Sequence, residues 1–282
     1  MGAPSAFAIG LILTAAVLHA LWNALIKGSP DRALSMGLIN IGHGVIGLAM
    51  VLAFAPPAAE SWPFIAASTF IHFFYYGFLI LAYRHGDLSQ VYPIARGIAP
   101  VLVALGAQGF AGEVLPAQAW AGILMVSGGI GLLFMVPKAK QTRPIAVASA
   151  LAVGATIAAY SVADGMGVRL AESRFGYIGW LFLLECIAAF WFMGYRRKVL
   201  RMVTLRTWAI GILGGLISAA AYGLAIFAKS LTTLGTVSAI RESSVIIAAL
   251  IGVIWFHERP WKIRVAAGAV VAAGVIVLAT AR

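Results

Sequence analysis

The chain consists of long apolar runs that are separated by short polar segments, and these runs follow one another along its whole length. A run of about 20 apolar residues is long enough to cross a bilayer as a helix. The pattern therefore predicts an all-α membrane protein with ten spans. We place them at residues 5–26, 33–55, 63–83, 88–110, 115–136, 144–163, 176–194, 207–228, 233–256 and 260–280.

Helix-breaking residues support these boundaries. They lie where a loop or a first helical turn is expected, at Gly28, Pro30, Pro56, Pro57, Pro116, Pro137, Pro144 and Pro260. The segments between the runs are too short to hold a soluble domain. The first run is long enough to stay in the membrane as a span, and no basic segment precedes it as in a cleaved signal.

Composition gives the same class. The 282 residues are 62% hydrophobic, and the mean hydropathy is +0.98. The net charge of +11 does not indicate a nucleic-acid partner, because the basic residues lie in short loops rather than on a globular face. The single cysteine, Cys186, permits no intramolecular disulfide, and we interpret it as a buried, inert thiol.

A repeat divides the chain into halves. Residues 89–135 align without a gap to residues 234–280, so that Arg96 falls on Arg241 and Glu113 on Glu258. Charged residues make up 10% of the chain, so a matching Arg and Glu at equal spacing indicates an internal duplication. The halves are residues 1–138 and 139–282, with five predicted spans each. An odd number of spans places the second half in the membrane upside down, as an inverted repeat.

The loop charges predict an orientation. The loops that follow odd-numbered spans hold most of the loop Lys and Arg, and five of these residues lie within 196–206. Basic loops are usually cytoplasmic, so we expect both termini outside. Lys229 is assigned to a loop on the outer side of the membrane, where few basic residues lie.

Three segments resemble a known family. GEVLPAQAWAGILMVSGGIGLL, its copy HERPWKIRVAAGAVVAAGVIVL and the opening LHALWNALIK are similar to the two EamA-type repeats of the drug/metabolite transporter superfamily. The resemblance covers essentially the whole chain and implies ten helices in two inverted fives. It also implies a multi-pass protein of the bacterial inner membrane that exports small metabolites, often amino acids. The repeated motif is scaffold and does not specify the substrate.

Two mid-span cations are the first candidates for a binding site. Arg96 and Arg241 each lie about eight residues into a span, near the bilayer midplane at ~1.5 Å per residue. Pro93 and Pro100 flank Arg96 and predict a broken helix beside it. A cation beside a broken helix suits a substrate carboxylate. The alternative is a structural ion pair, with Glu242 or with a carboxylate on another helix.

Aromatic and polar side chains indicate an amphipathic cavity. Side chains three or four residues apart share a helix face, as His19 and Trp22 do. The alternative for the tyrosines is an interfacial belt. The remaining predicted substrate contacts are Asn23, His72, Tyr75, Tyr76, Tyr92, Tyr160 and Tyr222.

The acidic residues have two interpretations. Glu185 is an isolated charge in mid-span 7, and together with His19 and Glu242 it is a candidate for proton coupling. For Glu185 a neutral, protonated carboxyl or a helix–helix hydrogen bond is preferred to proton coupling, and an offset of 142 places His43 opposite it. Glu113 and Glu258 precede spans 5 and 10, where capping of a helix N-terminus is preferred to a substrate role.

These observations predict a secondary transporter that moves a small metabolite, which we interpret as an amino acid, by alternating access through a central cavity. Export as the direction is what the resemblance implies. Cationic drugs and nucleotide-type metabolites are the alternative substrates, and a channel is a less favoured class. The chain contains no HExxH, GxSxG or P-loop motif, which argues against an intramembrane enzyme. We expect no cofactor, no metal and no nucleic acid. The expected partners are the substrate and the bilayer, with the protein as a monomer or homodimer.

Overall fold

The structure is a computed structural model that describes residues 4–26, 32–86, 88–133, 143–195, 203–247, 250 and 261–281. Within these residues the regular structure is entirely helical. The helices are α1 (Ala6–Ile26), α2 (Arg32–Ala53), α3 (Trp62–His85), α4 (Leu88–Ala111), α5 (Ala117–Leu132), α6 (Pro144–Leu170), α7 (Arg174–Glu185), α8 (Ile187–Tyr195), α9 (Leu205–Lys229), α10 (Leu234–Arg241) and α11 (Trp261–Ala279).

The chain is a multi-pass α-helical membrane protein. In the part that the structure describes, eight helical segments are long and apolar enough to cross a bilayer, with α7 and the start of α8 counted as one. The sixteen residues of α5 form a shorter apolar helix. Residues 251–260, which include Glu258 and Pro260, lie outside the described residues, as do Pro30 and Pro137.

Two helix interruptions differ from the predicted spans. Span 7 was expected to be continuous, but it breaks at Cys186, whose sulfur packs so closely on α2 that a Cβ at Gly44 would lie 2.5 Å from it. α4 continues through Pro93 and Pro100, so the break predicted beside Arg96 is wrong. The interruption lies instead after Arg241, where two turn residues precede a resumed helix at 244–247.

The helices pack in a reciprocal pattern. α1 packs on α9 as α3 packs on α6, and α4 contacts α6 as α10 contacts α1. α2 contacts α7, and α5 contacts α11. The middle of the bundle is formed where α1, α3, α4, α6, α9 and α10 converge.

Glycines allow the closest helix contacts. A Cβ at Gly42 would lie 2.6 Å from Gly215 Cα, and a Cβ at Gly122 would lie 2.9 Å from the Gly274 carbonyl oxygen. α5 and α11 therefore pack closely against each other, through Gly122, Gly129 and Gly274. Gly128 and Gly131, which belong to the same glycine run, face open space.

Candidate functional site

Two arginines from different halves of the chain meet at one histidine. Arg96 Nη2 lies 2.7 Å from His19 Nε2, and Arg241 Nη2 lies 3.2 Å from His19 Nδ1. Arg96 Nη1 also donates to Glu242 Oε1 at 2.9 Å. These four residues, His19, Arg96, Arg241 and Glu242, form what we call the cation site. The break after α10 brings Arg241 and Glu242 there together, and the side chains of Arg96 and Glu242 are only 11% and 3% exposed.

The cation site holds more hydrogen-bond donors than acceptors. Trp22 Nε1 lies 3.3 Å from His19 Nδ1, so three side chains that can only donate face one imidazole. A neutral imidazole has a single acceptor nitrogen. Among the described residues, nothing accepts from the buried Nε of Arg241, and nothing donates to the buried Oε2 of Glu242. The site therefore carries one unpaired donor and one unpaired acceptor on adjacent residues.

The charge of the cation site is not balanced. Two guanidinium groups face one carboxylate in the described residues, since arginine stays charged in proteins. Burying a net positive charge inside a membrane protein is costly without a compensating anion. An anionic group is therefore the ligand that this arrangement favours.

Aromatic rings surround the two cations. Arg96 lies over the Tyr92 ring with 5.7 Å between the guanidinium carbon and the centroid, and Arg241 lies over Tyr222 at 5.6 Å. The Tyr160 ring is edge-on to Tyr75 at 5.9 Å and to Tyr222 at 6.0 Å. Of the predicted contacts, the structure thus brings these four tyrosines, His19, Trp22, Arg96 and Arg241 into one region.

Two predicted contacts point elsewhere. The Asn23 amide donates to the carbonyl of His19, one turn earlier on the same helix, at 2.7 Å. Tyr76 donates its hydroxyl to Asn40 Oδ1 at 3.1 Å, and its ring packs against Ala188. Neither side chain is placed at the cation site by these contacts.

His72 belongs to a second buried group. It stacks on Tyr160 with 4.1 Å between centroids, yet its Nδ1 lies 3.3 Å from Glu185 Oε1. His43 Nδ1 lies 3.2 Å from Glu185 Oε2, and His43 Nε2 lies 3.1 Å from Ser218 Oγ. The helix–helix hydrogen bond expected for Glu185 is therefore confirmed, with His43 of α2 as its partner, and His72 of α3 is a second histidine that was not expected there. We call His43, His72 and Glu185 the carboxylate triad.

Asp164 and Lys229, which were not among the predicted site residues, form a third buried group. Asp164 is fully buried on α6 and accepts hydrogen bonds from Tyr177, at 3.4 Å, and from Tyr222. Lys229 Nζ lies 3.9 Å from Asp164 Oδ2. Lys229 was counted as a loop residue, but it is the last residue of α9 and is buried. The position of Asp164 inside an apolar run of the sequence could have indicated this group.

Glu113 caps a helix, although a different one from that expected. Both of its carboxylate oxygens accept from the backbone amide of Leu234, at 2.9 and 3.1 Å, at the start of α10 rather than of α5. Arg169 of α6 donates to Glu113 Oε1 at 2.6 Å and to the carbonyl of Thr232 at 2.9 Å. We call Glu113, Arg169 and the backbone of 232–234 the Arg169 lock. Glu258, the counterpart of Glu113, lies outside the described residues.

Comparison with known proteins shows a shared fold. No protein-family model matches the chain, and no curated protein matches it. One solved structure, named only as a crystal structure of a protein, is similar with a TM-score of 0.74 and 20% sequence identity. The match covers 96% of this chain and 98% of the other. At this identity the similarity shows a shared fold that extends over nearly the whole chain.

Proposed function

We propose that the protein is a secondary transporter for a small metabolite that carries a carboxylate, with an amino acid as the substrate class. The observation that carries this proposal is the cation site, in which two buried arginines converge on one histidine with a surplus of donors and positive charge. Ionisable groups inside a membrane protein mark substrate pathways more often than scaffold. The tyrosines around the site would contact the apolar part of the solute.

An amino acid fits better than the other candidate solutes. The unpaired Nε of Arg241 is suited to a carboxylate, and the unpaired Oε2 of Glu242 is suited to an ammonium group. A cationic drug would meet a site that already has a net positive charge. A nucleotide-type metabolite would bring more negative charge than the single surplus cation balances.

The packing supports transport by two related halves. If residues 1–138 and 139–282 are inverted repeats with five spans each, α1 corresponds to α6, α3 to α9, and α4 to α10. The contact of α1 with α9 then corresponds to that of α6 with α3, and α4 with α6 corresponds to α10 with α1. Two equivalent halves around a central site suit alternating access. Membership of the drug/metabolite transporter superfamily, export as the direction and the bacterial inner membrane remain part of the proposal on the basis of the sequence resemblance.

Counterflow in liposomes tests the proposal. The purified protein is reconstituted, and the vesicles are loaded with one unlabelled solute. Uptake of the same solute in labelled form is then followed. The panel of solutes contains amino acids, nucleosides and cationic drugs. We expect saturable uptake of one or more amino acids that requires the internal load. Uptake that does not saturate and does not depend on the internal load would indicate a channel. No uptake of any amino acid would contradict the proposed substrate class.

A further inference from the structure

The carboxylate triad has fewer hydrogen-bond donors than its oxygen atoms require. His72 Nδ1 lies 2.8 Å from the carbonyl of Ser68 as well as 3.3 Å from Glu185 Oε1, so one N–H faces two oxygens. The hydrogen bond goes to the carbonyl, and no described residue donates to Oε1 with hydrogen-bond geometry. The glutamate side chain is 1% exposed. A buried carboxylate oxygen without a donor is where an additional proton is most favourable.

Each of the two histidines has one ring nitrogen without a hydrogen, and this nitrogen can accept the additional proton. His43 donates from Nδ1 to Glu185, which leaves Nε2 as an acceptor facing the Ser218 hydroxyl. His72 carries its hydrogen on Nδ1, which leaves Nε2 as its basic atom. An ionised Glu185 between two neutral imidazoles has a charge of −1, and one bound proton makes the triad neutral. Because the three groups are in contact, the proton belongs to the triad as a unit rather than to one atom.

The neighbouring charges do not supply this compensation. The rings of Tyr76, Tyr160 and Tyr222 lie around His72, at 6.3, 4.1 and 6.0 Å between centroids, and a phenol carries no charge at neutral pH. Tyr177 of α7 donates its hydroxyl to Asp164. Asp164 of α6 lies near His72, but Lys229 of α9 offsets its charge. The titratable residue that α2 places here is His43, which is itself a member of the triad.

We propose that the carboxylate triad is a proton-binding site, distinct from the cation site, whose proton occupancy is linked to solute binding. The link runs through His72, which stacks on Tyr160 and lies edge-on to Tyr222 at 6.0 Å between centroids. Tyr222 in turn lies beneath Arg241 of the cation site. The linkage rests on the proposed transport function, whereas proton binding by the triad does not.

The first experiment needs no solute. The full chain is labelled with ¹⁵N-histidine in lipid nanodiscs, and its NMR spectrum is followed from pH 5 to 9, with each of the five histidines assigned by substitution. We expect His43 and His72 to shift together in one step. In Glu185→Gln the step should move to lower pH by about one unit or more, because the protonated histidines lose the negative partner that stabilises them. The matched control is Glu113→Gln, which removes another buried acid and should leave the step unchanged.

The outcomes separate cleanly. Absence of a common step for His43 and His72, or an unchanged step in Glu185→Gln, overturns the proton site whether or not the protein transports anything. If Glu185→Gln does not fold, His43→Gln serves as the second variant and should move the remaining step of His72; an unchanged His72 step would overturn the proton site. A divalent cation is the other ligand of His and carboxylate side chains, although no described group of three is arranged to hold one. A step that a chelator removes would also overturn the proton site.

The second experiment tests the linkage. Binding of the amino acid that is exchanged fastest is measured by calorimetry in phosphate and in Tris, whose ionisation enthalpies differ, which gives the number of protons taken up or released per solute. We expect about one proton in the wild type and about none in Glu185→Gln, with solute affinity retained within a few-fold. Uptake would indicate proton–solute symport and release would indicate antiport. The same proton number in both proteins overturns the linkage, whereas absence of binding by any solute contradicts the proposed function and leaves the NMR result standing.

Discussion

Arg96 and Glu242 form a buried ion pair, with 2.9 Å between Nη1 and Oε1, across 146 positions of the chain. The pair joins α4 to the turn after α10. Arg241, the repeat counterpart of Arg96, makes no ion pair within the described residues and contacts His19 instead. The two arginines therefore occupy corresponding positions and share His19, but within the described residues Arg96 alone has a carboxylate partner.

This difference predicts different effects of the two arginine substitutions. Arg96→Gln leaves Glu242 buried without its partner, and removing one member of a buried ion pair costs about 3–5 kcal/mol. Arg241→Gln removes no ion pair within the described residues, so it should abolish counterflow with a much smaller loss of thermal stability in detergent. The double variant Arg96→Gln, Glu242→Gln is the control and should recover most of the stability without recovering counterflow. Equal destabilisation by the two single substitutions would contradict this interpretation.

Tyr75 and Tyr76 should also behave differently. Tyr75 contacts Tyr160 at the cation site, whereas Tyr76 bonds to Asn40 and packs on Ala188. Tyr75→Ala is expected to weaken solute binding at least tenfold with a near-normal melting temperature. Tyr76→Ala should lower the melting temperature, since truncating a packed aromatic costs about 3–5 kcal/mol. Thermal melts and binding isotherms of both variants decide this, and normal binding by Tyr75→Ala would place the solute elsewhere.

The Arg169 lock should close one end of the bundle. Glu113 joins the segment before α5 to α6 and α10, and Thr232 beside it is 1% exposed. In a Cys186→Ala background, Thr232→Cys is expected to resist a soluble maleimide and to become at least several-fold more reactive when Glu113→Gln is added. The matched control is Glu242→Gln, which removes a buried acid that is not part of the lock. Equal labelling with and without Glu113→Gln would show that the lock does not limit access.

Two exposed positions test the orientation. Thr204 precedes α9 and Glu172 follows α6, so they should lie on opposite sides of the membrane. The basic loops predict that Thr204→Cys, in the Cys186→Ala background, resists an impermeant maleimide added outside whole cells. Glu172→Cys should be labelled under the same conditions. The reverse pattern would place both termini in the cytoplasm. The basic segment 196–201 itself lies outside the described residues.

Asp164 should stabilise the fold through several partners at once. Asp164→Asn removes the charge that faces Lys229 and weakens the hydrogen bonds from two tyrosines. We expect a loss of a few kcal/mol, because it leaves Lys229 as a buried unpaired cation. Tyr177→Phe removes only the longer of the two hydrogen bonds and should cost about 1 kcal/mol. Thermal melts of both variants measure the difference, and equal losses would show that the Lys229 contact contributes little.

The sequence predicted the helices better than the contacts between them. Apolar runs of span length placed α1 to α4 within a few residues, because a bilayer requires that length. The repeat also identified Arg96 and Arg241 as corresponding positions, and both reach His19. The break after Arg241 carries no proline to signal it. An offset of 142 placed His43 opposite Glu185, but His72 was not predictable as the third member of the triad, because it comes from another helix and reaches Glu185 only through packing.

The glycine contact between α5 and α11 has a mechanical consequence. A Cβ at Gly122 would lie 2.6 Å from Leu278 Cγ and 2.9 Å from the Gly274 carbonyl oxygen, so the two backbones are nearly touching. Packed helices move relative to one another mainly by small sliding shifts. In the proposed alternating-access cycle, the α5–α11 pair would act as an axle that stays together while the helices around the cation site tilt about it. Replacing either glycine by alanine would therefore spread the axle and impair movement at a site to which neither residue contributes an atom.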